Sequence, residues 1–417
     1  MNHQILINTA EKYGTPLYFY DGDLIEARYH LLKSCFPEEF SLYYVMKANP
    51  LAGIAQILLK ANSGIAVCSA GELAVALKAG FPPQSVLFSG PGKSKEELTC
   101  AIRSDIGCLS VESLSEILQI DKIGREEGRT VKIILRINPD AEPAGTAVSY
   151  AGKASQFGID EGALPDLFRH IADLNAVKPA GIHIYSGTQV FKVDAILRNI
   201  ETVLKLALKL AGDYGVPLHL INIGCGFGTA YTSRQKPLDT AELTAGFQKL
   251  RDTYLPKLRG TRVAVECGRF IMAEAGCFLV RILYRKQSKG REYLICDGGI
   301  NFYNKTPYLG RFSRSDLPVE LPGKEPGSRF FQVTGPLCTP QDLICQDANL
   351  SEPETGDILV VRNTGAYGFT ESPALFLSHA TPREVIVYKG REYVLRTQGR
   401  PEDFMNRQAG MNLCQNL

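Results

Sequence analysis

The chain has 417 residues, 45% of them hydrophobic and 22% charged, with a net charge of +2. That is globular composition with length enough for two domains, and the near-neutral charge carries no pull towards nucleic acid. The 11 cysteines are odd in number and contain no Cys-x-x-Cys, which argues against a disulfide framework or a metal site and for a reducing, cytoplasmic setting. The opening Met-Asn-His-Gln-Ile-Leu-Ile-Asn lacks a signal-peptide pattern, and no apolar run reaches membrane-spanning length, so no membrane association is expected.

In chain order, the first strand-like run is 17–20, closed by Asp21-Gly22. From about residue 40 to 270, short β-like runs alternate with helix-like stretches. The runs are 42–46, 65–68, 86–89, 107–111, 131–137, 181–185, 218–223 and 262–266. Segments such as 54–61, 72–79, 95–102 and 200–210 carry apolar residues at helical spacing. Eight β-then-α units read as an α/β fold, a (β/α)8 TIM-type barrel over 25–273; a doubly wound open sheet is the competing architecture. After about residue 275 the runs 278–285, 292–296, 330–334, 358–362 and 384–388 lie between Gly, Pro and Asp turns. They read as a C-terminal all-β domain, 274–417, which residues 1–24 can join through the run at 17–20.

The chemistry-bearing residues fall at the ends of the barrel runs. Tyr43-Tyr44-Val45-Met46 delivers Lys47 into an Ala-Asn-Pro turn. A desolvated strand-end amine can act as a nucleophile and form a Schiff base, although a solvated edge lysine fits the same pattern. His183 ends the sixth run. Gly224-Cys225-Gly226-Phe227-Gly228 follows the seventh and Glu266-Cys267-Gly268-Arg269 ends the eighth. In this fold the loops after strands seven and eight often hold phosphate, where glycines admit backbone N–H groups and Arg269 adds a charged fork. A phosphorylated cofactor with a lysine-reactive aldehyde is pyridoxal 5′-phosphate. Glu266 then keeps the pyridine nitrogen protonated, and His183 stacks on the ring. Taken singly, each has a plainer reading: a strand-to-helix turn, a structural histidine, a surface ion pair. Gly90-Pro91-Gly92-Lys93-Ser94 is not a Walker A loop, because Leu87 stands where the first glycine is required.

At these residues the chain resembles the fold-type III pyridoxal-phosphate decarboxylases, the group with diaminopimelate, ornithine and arginine decarboxylases. The motifs span nearly the whole chain. They include Tyr44-Val45-Met46-Lys47-Ala48-Asn49, Ser69-Ala70-Gly71-Glu72-Leu73, Arg136-Ile137-Asn138-Pro139 and Gln156-Phe157-Gly158-Ile159. The glycine loop, Glu266-Cys267-Gly268-Arg269, Gly335-Pro336-Leu337-Cys338 and Gly365-Ala366-Tyr367-Gly368 complete them. The resemblance implies that Lys47 is the Schiff-base lysine and that His183 stacks on the ring. It implies that Ser186, Gly226, Arg269 and Tyr367 hold the phosphate, that Glu266 meets the pyridine nitrogen, and that Arg136 and Gly228 lie in the cofactor site. It further implies a homodimer in which Cys338 reaches the neighbour's site as proton donor.

Departures from the family bear on substrate. Members acting on diamino substrates usually carry an acidic residue after the cysteine, whereas this chain reads Cys338-Thr339-Pro340-Gln341-Asp342. A hydroxyl offers no charge to a distal ammonium. The arginine of diaminopimelate decarboxylases after the Asp297-Gly298-Gly299 turn is absent from 297–307. Ala66 stands where an acidic residue is common, Cys225 replaces a middle glycine, and Phe376-Leu377-Ser378-His379 stands where the family often has Tyr-Asn. With Ser378-His379-Ala380-Thr381-Pro382, the pattern most resembles the branch serving butirosin-type aminoglycoside biosynthesis, which acts on a glutamyl group thioesterified to an acyl carrier protein. Asp297, Thr339 and Asp342 are the candidate substrate residues. The basic run 285–291 suits either an acidic carrier protein or a solvated hairpin turn. Decarboxylation of a free amino acid such as diaminopimelate is the alternative. A racemase is disfavoured by Glu266, and a cofactor-free binding homologue by the retention of Lys47, His183, Glu266 and Cys338.

Overall fold

The computed structural model describes residues 1–146, 148–232, 235–305, 317–325, 327, 329–406 and 408–409. Thr306 and Pro307, the end of the segment 297–307, lie outside them. The strands that matter here are β1 (Leu17–Asp21), β2 (Phe40–Val45), β3 (Gly64–Val67), β4 (Val86–Phe88) and β5 (Cys108–Val111). Next come β6 (Val131–Asn138), β7 (Val177–His183), β8 (Leu220–Asn222) and β9 (Arg262–Cys267). The chain divides into two compact units, Leu24–Met272 and Met1–Asp23 with Ala273–Leu417.

The first unit is a closed parallel barrel. Strands β2 to β9 pair in order, β9 returns to β2, and β5 joins β6, so no edge is left. Three successive barrel helices, Ala70–Lys78, Lys95–Arg103 and Leu114–Glu126, begin Ser-x-x-Glu. Ser69, Ser94 and Ser113 each accept the backbone N–H of the glutamate three residues on. Such a cap is worth about 1 kcal/mol and fixes where each helix leaves its loop. The glutamates reach back: Glu72 accepts Cys68 N at 2.7 Å and Glu116 accepts Glu112 N at 2.8 Å. The loops at the C-terminal ends of β3 and β5 are thereby tied down.

Strand β7 begins four residues before the expected 181. Pro179 lacks an N–H, and the β6–β7 register shifts as it passes from Pro179 to Gly181. The helix expected over 200–210 runs Val193–Tyr214, its first turns carrying Val193 and Ile196 into the core.

In the second unit, β10 (Gly276–Ser288), β11 (Arg291–Cys296), β12 (Arg329–Thr334), β13 (Leu343–Leu350), β14 (Ile358–Val361), β15 (Arg383–Tyr388) and β16 (Arg391–Arg396) join β1. The sheet order is β13-β12-β11-β10-β1-β15-β16, with β14 also against β10. It is antiparallel except for β1–β15 and β11–β12. The opening helix, His3–Tyr13, was not anticipated; it buries Leu6 and Ala10 against Leu17, Phe19, Cys277, Leu279 and Val385. Strands β13 and β16 were also missed, the latter because it is largely exposed and begins Arg-Glu, as edge strands do. The run 285–291 is the β10–β11 hairpin, with Lys289 and Gly290 both at positive φ, the two-residue turn that matches strand twist.

Candidate active site

Inside the barrel, Tyr43, Val45, Ala66, Leu87, Cys108, Ile134, Leu220 and Ala264 form one apolar cluster. Side chains two residues apart on a strand share a face. Two residues beyond seven of these stand Lys47, Cys68, Ser89, Ser110, Arg136, Asn222 and Glu266. Strand β7 supplies the eighth, His183, in register with Arg136 on one side and Asn222 on the other. Every barrel strand thus delivers one polar or reactive group at its C-terminal end, where sites in this fold are built.

Lys47 sits in a single helical turn, Met46–Ala48, exposed between two buried neighbours. Its ammonium lies 5.7 Å from the centre of the Tyr185 ring. Its charge acts on Cys68, Glu72, His183 and Glu266, which places it among them. Glu266 is buried, and burial pushes its carboxyl above the usual range; a hydrogen bond from Asn222 and the charges of Lys47 and Arg136 pull the other way. Asn222 Nδ2 donates to Glu266 Oε1 at 2.7 Å.

His183 is 1% exposed. Burial lowers its imidazole well below the ordinary 6.5, and Arg136, Lys47 and Lys93 add to the effect, so the ring is neutral. Nδ1 lies 2.8 Å from Ser110 Oγ. Arg136 is paired with Glu112, Nη1 to Oε1 at 2.8 Å, and its guanidinium lies over the Phe157 ring at 4.6 Å. Both members of that pair are buried, so removal of either strands a charge, at a cost of about 3–5 kcal/mol. Burial drives the Cys68 thiol up to about 12 although the side chain is solvent-accessible, as a group lining an open mouth can be. Cys225 is raised too, so neither thiol is a ready nucleophile.

The glycine loop follows β8. Asn222 Oδ1 accepts Gly224 N at 2.9 Å, and Glu266 N donates to Gly224 O at 2.7 Å. Gly224 has φ +58° and Cys225 φ +98°. At Gly226 a Cβ would stand 1.8 Å from Gly187 O, so only glycine fits. Gly228 N donates to Val190 O at 2.8 Å. Arg269, half-buried at the start of the turn after β9, donates Nη1 to Tyr231 Oη at 3.2 Å. Ser186 follows β7 and is also half-buried.

The barrel therefore brings together Lys47, Arg136, His183, Ser186, Gly226, Gly228, Glu266 and Arg269. The remaining expected residues belong to the second unit. Cys338 is exposed; Thr339 is half-buried, its Oγ1 accepting Gln341 N at 3.4 Å. Asp342 is buried with its carboxylate on the N–H groups of Ile300 (2.8 Å) and Leu337 (2.7 Å). Asp297 accepts Arg281 N at 2.9 Å and the Thr15 hydroxyl at 2.5 Å. Both oxygens of each carboxylate already accept hydrogen bonds within this unit. Tyr367 sits at φ +62° in its glycine-flanked turn. Sequence reasoning missed Ser89, Ser110, Glu112 and Asn222; for the two serines and Asn222, a polar residue two steps beyond an inward apolar one was the available signal.

The residues present fit pyridoxal 5′-phosphate. Among the described residues, Ser89 Oγ and His183 Nε2 are buried without a hydrogen-bond partner, so the ring of polar groups is incomplete by itself. An accessible amine, a neutral imidazole, a buried carboxylate and a close-approach glycine loop supply the donor set such a cofactor needs. Among the described residues no cluster of His, Cys, Asp or Glu suits a metal, and no helix is long and apolar enough to cross a membrane.

Comparison with known proteins agrees. Residues 22–273 match the family described as pyridoxal-dependent decarboxylase, pyridoxal binding domain. The chain is 36% identical to the L-glutamyl-[BtrI acyl-carrier protein] decarboxylase of Niallia circulans, covering 95% of this chain and 94% of that protein. It is 30% identical to the diaminopimelate decarboxylase of Aquifex aeolicus, covering 93% and 90%. The crystal structure of diaminopimelate decarboxylase from Helicobacter pylori complexed with L-lysine superposes with a TM-score of 0.85 at 28% identity, covering 97% and 98%. With a family match over 22–273 and relatives of 30% identity or more over most of the chain, the chain belongs to the pyridoxal-phosphate-dependent amino-acid decarboxylases.

Proposed function

We propose that this decarboxylase removes the α-carboxylate of an amino acid whose distal carboxylate is masked, a glutamyl thioester on an acyl carrier protein, in specialised-metabolite biosynthesis. Thr339 carries the reading: the residue after Cys338 offers a hydroxyl, half-buried and engaged with Gln341 N, and no charge for a distal ammonium. The 36% identity to a carrier-linked decarboxylase, against 30% to a diaminopimelate decarboxylase, supports it. So does the exposed tip of the β10–β11 hairpin, where Lys286, Lys289 and Arg291 can meet an acidic carrier. Arg285 contributes less, because it is paired with Glu292 at 3.2 Å.

Bound in the barrel mouth, pyridoxal 5′-phosphate would supply an electron-withdrawing ring for loss of the α-carboxylate as carbon dioxide. Lys47 is the amine that would hold the cofactor. Glu266, kept in place by Asn222, would pair with the ring nitrogen and keep it protonated. His183, neutral and hydrogen-bonded at Nδ1, would stack on the ring and keep water off it. Ser186, Gly226, Arg269 and Tyr367 would hold the phosphate. Cys338 returns a proton to Cα. It does so from a second copy of the chain; the exposed Leu375, Phe376 and Leu377, at 79%, 45% and 47%, support burial of this unit in a homodimer.

A free diaminopimelate substrate is the second reading, favoured by the Helicobacter pylori structural match. Mass-spectrometric loss of carbon dioxide from a panel of free and carrier-bound amino acids decides between them. Turnover of carrier-bound glutamate alone supports the proposal, and turnover of free diaminopimelate alone overturns it.

A further inference from the structure

We infer that Ser110 is a positioning residue that holds the ring plane of His183, and that the Lys93–Glu116 pair is the strut that fixes Ser110. The inference deepens the proposed function and rests on its reading of His183 as the group covering the cofactor ring.

Ser110 and His183 are each 1% exposed, and Ser110 Oγ lies 2.8 Å from Nδ1. The backbone carbonyl of the same serine accepts Lys93 Nζ at 2.9 Å. Lys93, from the loop after β4, has a side chain only 1% exposed. It lies 2.7 Å from Glu116 Oε1 and also donates to Gly90 O. Glu116 Oε2 takes the N–H of Glu112, whose own carboxylate takes Arg136. A continuous set of polar contacts therefore runs from the loop at 90–94, across the end of β5, to the Arg136 and His183 neighbours on β6 and β7. The lysine that fails as a phosphate-loop lysine has a use here: a desolvated charge spent on a strand-end carbonyl and a carboxylate.

The imidazole faces three cations, Arg136, Lys47 and Lys93, and is neutral. A neutral ring has one N–H and one lone pair. A hydroxyl can donate to Nδ1 or accept from it, and either bond restricts rotation of the ring about its own bond to the strand. A stacking group needs that restriction, because a rotated ring loses face contact. An alanine at 110 leaves Nδ1 buried without a partner and the ring free to rotate.

The test compares Ser110→Ala, Ser110→Thr and His183→Gln. In cofactor-free protein, 15N ring shifts of His183, assigned by difference from His183→Gln, should show a single bonded state in the wild type. Ser110→Ala should shift or broaden Nδ1, and Ser110→Thr should keep it. In loaded enzyme Ser110→Ala should lower kcat about tenfold with KM little changed, and Ser110→Thr should recover most of it. Unchanged ring shifts in Ser110→Ala, or a threonine variant as impaired as the alanine one, would overturn the inference. Where Ser110→Ala does not fold, Ser110→Cys, nearly isosteric and a weak donor, is read by the same criteria. Failure of the His183 reading shows differently: His183→Gln would then leave cofactor affinity and the visible spectrum unaltered, whatever the ring shifts of Ser110→Ala.

Discussion

Asn222 holds Glu266: its Nδ2 donates to Oε1 at 2.7 Å, while its Oδ1 takes the N–H of Gly224 at 2.9 Å. One side chain therefore couples the buried carboxylate of β9 to the first residue of the glycine loop. Under the proposed arrangement it sets ring-nitrogen partner and phosphate loop at a common depth. Replacement of Glu266 by Gln removes the charge that keeps the ring nitrogen protonated. The loss should fall mainly on kcat, by about two to three powers of ten, the scale of an electrostatic contact that matters most in the transition state. Steady-state kinetics of Glu266→Gln at saturating cofactor checks this, and unaltered turnover would remove Glu266 from that role.

Lys47 should be the residue that carries the cofactor. Borohydride treatment of the yellow protein, followed by digestion, should place the cofactor's mass on the peptide containing Lys47. Labelling of Lys93 instead would be inconsistent with its ion pair and with the assignment.

The neutral state of His183 has a consequence for stability. Its folded-state pKa lies well below the ordinary 6.5 because of burial and three nearby cations. Between the two values the unfolded chain binds a proton that the folded chain does not. Stability is therefore at its plateau above about pH 6.5 and falls as the pH drops below it. His183→Gln, which has no such proton to take up, should show a flatter acid limb in urea midpoints measured from pH 7.5 to 5. Parallel limbs for the two proteins would contradict the buried neutral assignment.

Much of this site is legible in the sequence because its residues fall where two signals coincide. Lys47, His183 and Glu266 each end an apolar run, and the glycine loop stands between two of those runs. Ser110 and Asn222 carry no such mark. Each is a small polar residue within a short apolar run, and the contact that gives it a place in the site is with a residue at least 44 positions away. The helix His3–Tyr13 escaped for a different reason. Its apolar residues Ile5-Leu6-Ile7 stand in a row rather than at helical spacing, and its core contact rests on little more than Leu6 and Ala10. Asp297 and Asp342 show the converse: acidic residues in a motif-rich region look available for substrate, yet Asp342 accepts backbone N–H groups at both oxygens, and Asp297 accepts Arg281 N and the Thr15 hydroxyl.

A shared site in a homodimer predicts complementation. Chains carrying Lys47→Ala and chains carrying Cys338→Ala should each be inactive or nearly so. After subunit exchange, one of the two sites in a hybrid dimer regains both residues, and part of the activity should return. Exchange verified by mass, with no recovery, would place Lys47 and Cys338 in the same copy of the chain or in unrelated roles.

The last prediction concerns the distal end of the substrate. Thr339 sits beside Cys338 in a turn closed by Asp342 N to Thr339 O at 3.1 Å and by Gln341 N to Thr339 Oγ1 at 3.4 Å. Its hydroxyl can pair with a neutral amide or thioester oxygen, but it offers a distal ammonium no countercharge. Converting Thr339 to Asp introduces that charge while retaining an acceptor for Gln341 N, so the turn should survive. A charge-assisted hydrogen bond is worth about 1.5–3 kcal/mol, or roughly ten- to a hundredfold in kcat/KM. Thr339→Asp should therefore gain activity towards ornithine, lysine or diaminopimelate by that order, and should lose activity on carrier-bound glutamate, whose neutral thioester then faces a carboxylate. Competition between the two substrate classes, followed by product mass, measures the shift directly. If the unmodified enzyme already prefers free diaminopimelate and Thr339→Asp leaves the ratio unchanged, this residue does not read the distal group.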